Sequence, residues 1–212
     1  MSEPTENTPY VSRGGLKLAH ALATFRVDPG GWRCADLGAS TGGFTDCLLR
    51  AGADHVTCVD TAYGQLAWTI RNDPHVLVME RTNALRLPPV EEPFDLIVID
   101  LGWTRQNLAI PAALRWTRPD GRIISLIKPH YELDAPERAG LLDRGVLAPE
   151  QASRVVDRVI DQLPTLGVNV LGVTRSPILG GAARRAGRGN AEWLVLLEPA
   201  SAPDDAHRLP GH

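Results

Sequence analysis

The stretch ADLGASTGGFTDC, residues 35–47, decides the fold. Small apolar residues lead to an acid, Asp36, then to Gly38 and the pair Gly42 and Gly43, and a helix opens near Phe44. A strand that turns through glycines into a helix N-terminus has the form of a cofactor cradle. Glycine lets backbone approach a ligand, and the helix dipole favours negative charge. An ordinary tight strand–helix turn has the same outline, so the rest of the chain must separate the two readings.

Outward from this stretch, strand and helix patterns alternate. The pattern predicts a helix from residue 14 to 25, capped by Ser12, then a strand over 33–37, with a Pro/Gly turn between them. After the cradle helix, strands are expected at 55–60, 76–80, 94–101 and 121–128, with helices over 64–71 and around 108–116. The run FDLIVIDL at 94–101 is continuously apolar up to its acid, which suits a strand covered on both faces. Residues 129–148 read as irregular or only partly helical, and Pro149 opens an amphipathic helix with Val155, Val156, Val159, Ile160 and Leu163 on one face. The last strands, 168–173 and 191–197, are joined by a Gly/Arg-rich loop rather than a helix. Such alternation predicts an α/β fold with a largely parallel sheet and an antiparallel edge hairpin. Residues 10–198 form the expected domain, between a disordered leader, 1–9, and a loose tail, 199–212.

Composition narrows the function classes. The chain has 212 residues, 43% hydrophobic and 22% charged, which is a globular balance. No run of ~18 apolar residues exists to span a membrane, and the polar start MSEPTENTPY is unlike an export signal. The three cysteines, Cys34, Cys47 and Cys58, fall in expected core elements without metal-ligand spacing, so a reduced, cytoplasmic protein without bound metal is expected. Lys plus Arg number 22 against 25 acids, a net charge of −3. Any nucleic-acid site is therefore a local basic patch, or a partner supplies one.

Spacing then selects among cofactors. Gly38-x-x-x-Gly42-Gly43 is not the G-x-G-x-x-G of dinucleotide sites. Asp36 beside the turn would repel a pyrophosphate but would suit an ammonium group, which S-adenosylmethionine carries. Asp60, at the end of the second strand, reads either as a ligand to ribose hydroxyls or as a strand-end cap. Asn83 in ERTN reads as a contact to an adenine edge or as a turn asparagine. Asp100 and Lys128 both end apolar strands at the edge where open α/β sheets bind ligands, unless they form a simple rim salt bridge. Arg13, Arg184, Arg185 and Arg188 are either a local rim for phosphates or solvated loop charges. Trp103 either stacks on a base or packs.

Taken together, SRGGLKL at 12–18, DLGASTGGFTDCLL at 36–49, VDTAYGQLAW at 59–68, ERTN at 80–83, LIKPHYE at 126–132, SPI at 176–178 and GNAEWL at 189–194 resemble the TlyA family. These are FtsJ/RrmJ-like rRNA ribose 2′-O-methyltransferases, also known as haemolysin A-like proteins. The likeness runs in order over residues 10–197. It implies a class I, Rossmann-like methyltransferase fold with a seven-stranded sheet, S-adenosylmethionine as cofactor, and RNA, rRNA or a ribosomal subunit, as partner. It implies a Lys-Asp-Lys-Glu catalytic set on Lys17, Asp100, Lys128 and Glu192, and cofactor contacts on Asp36, Gly38, Ser40, Gly42, Gly43, Asp60 and Asn83. A ribose hydroxyl must lose its proton as it attacks, and a lysine takes it only if burial or a neighbouring ammonium lowers its own pKa. Lys128 is the expected base.

The sequence also departs from the pattern. The family usually carries a small N-terminal RNA-binding domain, whereas this sequence starts almost at the methyltransferase motif. Leu-Gly-Trp follows the aspartate in place of Val-Ser-Phe, KPHYE replaces KPQFE, and the loop at 180–188 is longer and more basic. A small-molecule or protein substrate therefore stays open as the alternative, as does a non-catalytic cofactor- or RNA-binding or haemolysin-like protein.

Overall fold

The apolar run beginning at Phe94 builds the middle of the sheet. In this computed structural model, which describes residues 8–180 and 189–200, strand β4 (Phe94–Ile99) lies between β1 (Arg33–Leu37) and β5 (Thr117–Ile127), parallel to both. Beyond β1 come β2 (His55–Val59) and β3 (Val76–Met79), also parallel. Beyond β5 come β9 (Trp193–Pro199), antiparallel to it, and β8 (Val168–Arg175), antiparallel to β9. The order β3-β2-β1-β4-β5-β9-β8 is the seven-stranded, mostly parallel sheet with the expected edge hairpin. Residues 1–7 of the expected leader, residues 201–212 of the expected tail, and Arg184, Arg185 and Arg188 lie outside the described residues.

The strands are covered on both faces, as their apolar sequences require. Helices α1 (Gly14–Phe25), α2 (Gly43–Arg50) and α3 (Trp68–Arg71) place Leu18, Leu48 and Ile70 against one face, which includes Cys34, Val56, Leu96 and Ile124. Helices α4 (Gln106–Leu114) and α7 (Pro149–Gln162) place Ile110, Ala113, Val155 and Val159 against the other, with Ala35, Leu37, Ile97 and Ile123. Each fully buried leucine or isoleucine is worth roughly 1.5–3 kcal/mol relative to exposure.

Two local expectations are corrected. The helix over 64–71 shrinks to Trp68–Arg71, because Gly64 sits at φ 73° and donates to Glu80 Oε1, while Ala67 donates to the carbonyl of Thr41. Ser12 does not cap α1 with its side chain. Arg13 is the N-cap, and the Ser12 hydroxyl instead faces the start of α2. The stretch after β5 is partly helical, as expected: α5 (Pro129–Glu132) and α6 (Ala135–Leu141) are followed by a hairpin of β6 (Leu142–Asp143) with β7 (Val146–Leu147). A capping box between Asp134 and Glu137 starts α6.

Asp36 is the largest correction. It is 0% exposed and does not line a cavity wall at the sheet edge. Side chains alternate along a strand. Ala35 and Leu37 face the α4/α7 layer and Cys34 the α1/α2 layer, so Asp36 points under α2. There Thr45 Oγ1 donates to its Oδ2 at 2.7 Å, and Oδ1 is buried without a partner among the described residues. Burial pushes its carboxyl up to about 7, against the hydrogen bond from Thr45. A carboxyl with a raised folded-state pKa holds its proton longer folded than unfolded, so stability falls as pH rises between the two values. We expect Asp36→Asn to remove the loss that this group imposes between about pH 4 and 7, making the variant more stable than the parent by about 1–3 kcal/mol at pH 8 and nearly equal to it at pH 4. Urea unfolding at the two pH values checks this, and an equal difference at both contradicts it.

Candidate active site

The sheet order reverses between β1 and β4, and a groove opens beyond their carboxyl ends, where open α/β sheets bind ligands. The glycines after β1 make this possible. Gly38 adopts φ 96°, and a Cβ there would stand 2.8 Å from the carbonyl oxygen of Asp100. Gly42 adopts φ 97° as the N-cap of α2. A Cβ on Gly43 would stand 2.2 Å from Ser12 Oγ and 2.9 Å from the Gly15 nitrogen, so the starts of α1 and α2 touch. Ser40 takes the left-handed conformation, φ 49°, and its N–H donates to Asp60 Oδ2 at 2.7 Å.

The main cavity is about 710 Å³, walled by Gly38, Ser40, Asp60, Asn83, Asp100, Trp103 and Lys128. Asp60 faces it while also accepting from the N–H of Ala62 at 2.8 Å. It is thus a cap and a wall at once. Asn83 caps the short 3-10 turn Ala84–Arg86 by accepting from Leu85 N, and is exposed to the same cavity. A smaller cavity of about 190 Å³ adjoins it, sharing Gly38, Ser40 and Asp100, and is walled by Ser12, Arg13, Lys17, Gly43 and Ile178.

Two ion pairs stand along these cavities: Asp100 lines both, Lys17 the smaller and Lys128 the larger. Lys128, just past β5, holds Asp100 Oδ1, just past β4, at 2.5 Å, and donates to the carbonyl of Leu101 at 3.3 Å. Lys17, from the first turn of α1, holds Glu192 Oε2 at 2.6 Å. Glu192 is 2% exposed and Lys17 9%, so this pair is nearly out of water. The expected lowering of the Lys128 pKa is not found. Burial pulls it down, but the charge and hydrogen bond of Asp100 outweigh burial, with Glu192 and Tyr131 acting in the same direction, and the net shift is upward. In the absence of ligand Lys128 is an ammonium.

The structure therefore gathers Lys17, Asp100, Lys128 and Glu192, and lines the groove with Gly38, Ser40, Gly43, Asp60, Asn83 and Arg13. Asp36 and Gly42 lie outside the wall and shape it from beneath. Sequence reasoning passed over Tyr131, whose ring centre is 5.7 Å from Lys128 Nζ and stacks on Trp103 at 4.6 Å. The aromatic within KPHYE was its signal. Trp103 is 76% exposed and sits at φ 56°. It also passed over Ser12, which joins the two helix starts.

Comparison with known proteins agrees with this geometry. Residues 10–187 match the model of the FtsJ-like methyltransferase family. The chain is 41% identical over 192 residues to the 16S/23S rRNA (cytidine-2′-O)-methyltransferase TlyA of Mycobacterium tuberculosis, covering 89% of this chain and 68% of that protein. It is 32% identical over 198 residues to Hemolysin A of Brachyspira hyodysenteriae, covering 91% and 78% respectively. A solved Streptococcus thermophilus protein, described only as a hemolysin candidate, superposes with a TM-score of 0.84 at 34% identity, covering 94% of this chain and 70% of that one. The 1,6-didemethyltoxoflavin-N1-methyltransferase of Burkholderia thailandensis shares the fold at a TM-score of 0.58 and 17% identity, covering 90% and 78%. The chain belongs to the FtsJ-like methyltransferase family, enzymes whose methyl donor is S-adenosylmethionine.

Proposed function

We propose that this chain moves a methyl group from S-adenosylmethionine to a ribose 2′-hydroxyl of RNA, with ribosomal RNA as the substrate class and Lys17, Asp100, Lys128 and Glu192 as the reacting set. The observation that carries the reading is the presence of two lysine–carboxylate pairs along the groove. The name of the M. tuberculosis relative, an rRNA cytidine-2′-O-methyltransferase, supports a ribose oxygen as acceptor.

The groove fits the donor. No side chain stands between the turn at Gly38 and Asp100, which leaves the floor open to backbone contact. Asp60 and Asn83 would hold the ribose hydroxyls and the adenine edge, and the Gly38–Gly43 turn the amino-acid half. When bound, the donor supplies an electrophilic methyl on a cationic sulfur, whose charge opposes the ammonium form of Lys128. The chain's own residues do the rest. Lys128 Nζ, once deprotonated, takes the proton of the ribose hydroxyl while Asp100 keeps Nζ in place. Lys17, fixed by Glu192, donates to the hydroxyl oxygen and steers it in line with the methyl. The two lysines and two carboxylates balance in charge.

Trp103, exposed and stacked on Tyr131, offers a face for the target base. Arg13, which lines the smaller cavity, would supply a cation for phosphates in a chain of net charge −3, and Arg184, Arg185 and Arg188, which lie outside the described residues, are further candidates by sequence alone. A partner that presents the RNA is compatible with this charge. The cytoplasm, where ribosomal RNA is found, is the place of action under this reading. Among the described residues no helix is long and apolar enough to cross a membrane.

With labelled donor and total RNA, we expect Lys128→Ala to lower transfer by about 100-fold or more with the donor Kd within about threefold of the parent. Because Lys128 starts as an ammonium, the rate of the parent should climb with pH above 7. Label that persists in Lys128→Ala, or that enters protein or small molecules instead of RNA, contradicts the reading.

A further inference from the structure

Glu192 reaches Lys17 through a space that exists because residue 180 has no side chain. A Cβ built on Gly180 would lie 1.8 Å from Glu192 Oε1 and 2.2 Å from its Cδ. The backbone on both sides is pinned. Gly180 N donates to the carbonyl of Asn190 at 2.8 Å, and Asn190 N donates back to Gly180 at 3.0 Å. Asn190 is itself buried and anchored. Its Oδ1 accepts from Leu147 N at 2.8 Å, and its Nδ2 donates to the Gly145 carbonyl at 2.9 Å, which ties this bridge to the β6–β7 hairpin. Two residues on, the Glu192 carbonyl accepts from Ser176 N at 2.8 Å. Glu192 therefore enters the site from a backbone clamped on two sides.

We propose that Gly180 is a positioning residue for methyl transfer: its missing side chain is the slot that holds the Glu192 carboxylate against Lys17. The proposal rests on the reading that Glu192 belongs to the reacting set.

Gly180 is not among the glycines at positive φ, so an alanine meets no backbone strain there. The clash falls on the far end of a flexible side chain, whereas the backbone is held by paired hydrogen bonds. The carboxylate swings away and the strand pair stays. Lys17 then loses the partner that fixes its ammonium, and the two separated charges, both nearly out of water, cost the fold stability as well. A charge-assisted contact of this kind is among the stronger single interactions in a site.

The test is a double-mutant cycle with Gly180→Ala and Glu192→Ala, read by single-turnover methyl transfer to RNA, donor binding and thermal unfolding. Gly180→Ala should lower kcat by about tenfold to 100-fold, with donor Kd within about threefold and a single cooperative unfolding transition retained. In the Glu192→Ala background the same substitution should change kcat by less than about twofold, because it acts only through that carboxylate. Equal losses in both backgrounds, or a kcat for Gly180→Ala close to the parent, overturn the proposal. A parent chain that labels no RNA refutes the function reading instead. The slot is then judged from the crystal structure of Gly180→Ala: it requires the Lys17–Glu192 contact of 2.6 Å to open, and an unchanged contact refutes it.

Discussion

The site depends on one close approach, that of the turn after β1 to the end of β4. Gly38, at φ 96°, lies so near the Asp100 carbonyl that no side chain fits between them. This contact sits where the strand order reverses, so the crevice created by topology becomes a groove with a backbone floor. It also joins two functions in one place. The loop proposed to face the methyl donor and the acid that pairs with Lys128 are adjacent because both leave neighbouring parallel strands at the same edge.

Burial of charge is the second constraint. Lys17 and Glu192 are nearly out of water, and Lys128 is held between Asp100 and Tyr131. Buried ion pairs contribute little to stability, because desolvation offsets their attraction, but removing one partner is costly. Such pairs suit a proton-handling role: each lysine is fixed in place, and the proton affinity of Lys128 answers to the charges around it. The upward shift of Lys128 has a mechanistic meaning under the proposed reaction. The ligand-free enzyme stores the ammonium form, and an incoming cation favours its deprotonation.

Much of this was legible in the sequence. The glycine turn, the charged ends of the strands at Asp100 and Lys128, and the apolar runs between them fix an α/β sheet and the edge that carries the site. The order of motifs from SRGGLKL to GNAEWL brings Lys17 and Glu192, 175 residues apart, to one hydrogen bond. Other features depend on three dimensions. Asp36 reads as a groove residue because it stands beside the turn, yet the pleat of β1 aims it under α2. That direction follows from strand alternation once the strand is known to run through Leu37. The helix expected over 64–71 loses its first half to bonds that Gly64 and Ala67 donate to Glu80 and Thr41, which no local pattern reveals. The Lys128 shift depends on whether Asp100 or burial prevails, a balance of distances. Gly180 looks like loop punctuation until its neighbour Glu192 is placed.

The most direct measurement of the central claim is where the methyl group goes. Ribosomal RNA incubated with the protein and trideuteromethyl-labelled S-adenosylmethionine, digested to nucleosides and read by mass spectrometry, should carry the label on the ribose of a single nucleoside type. Label on a base, or none in RNA while the protein binds the donor, would contradict the account.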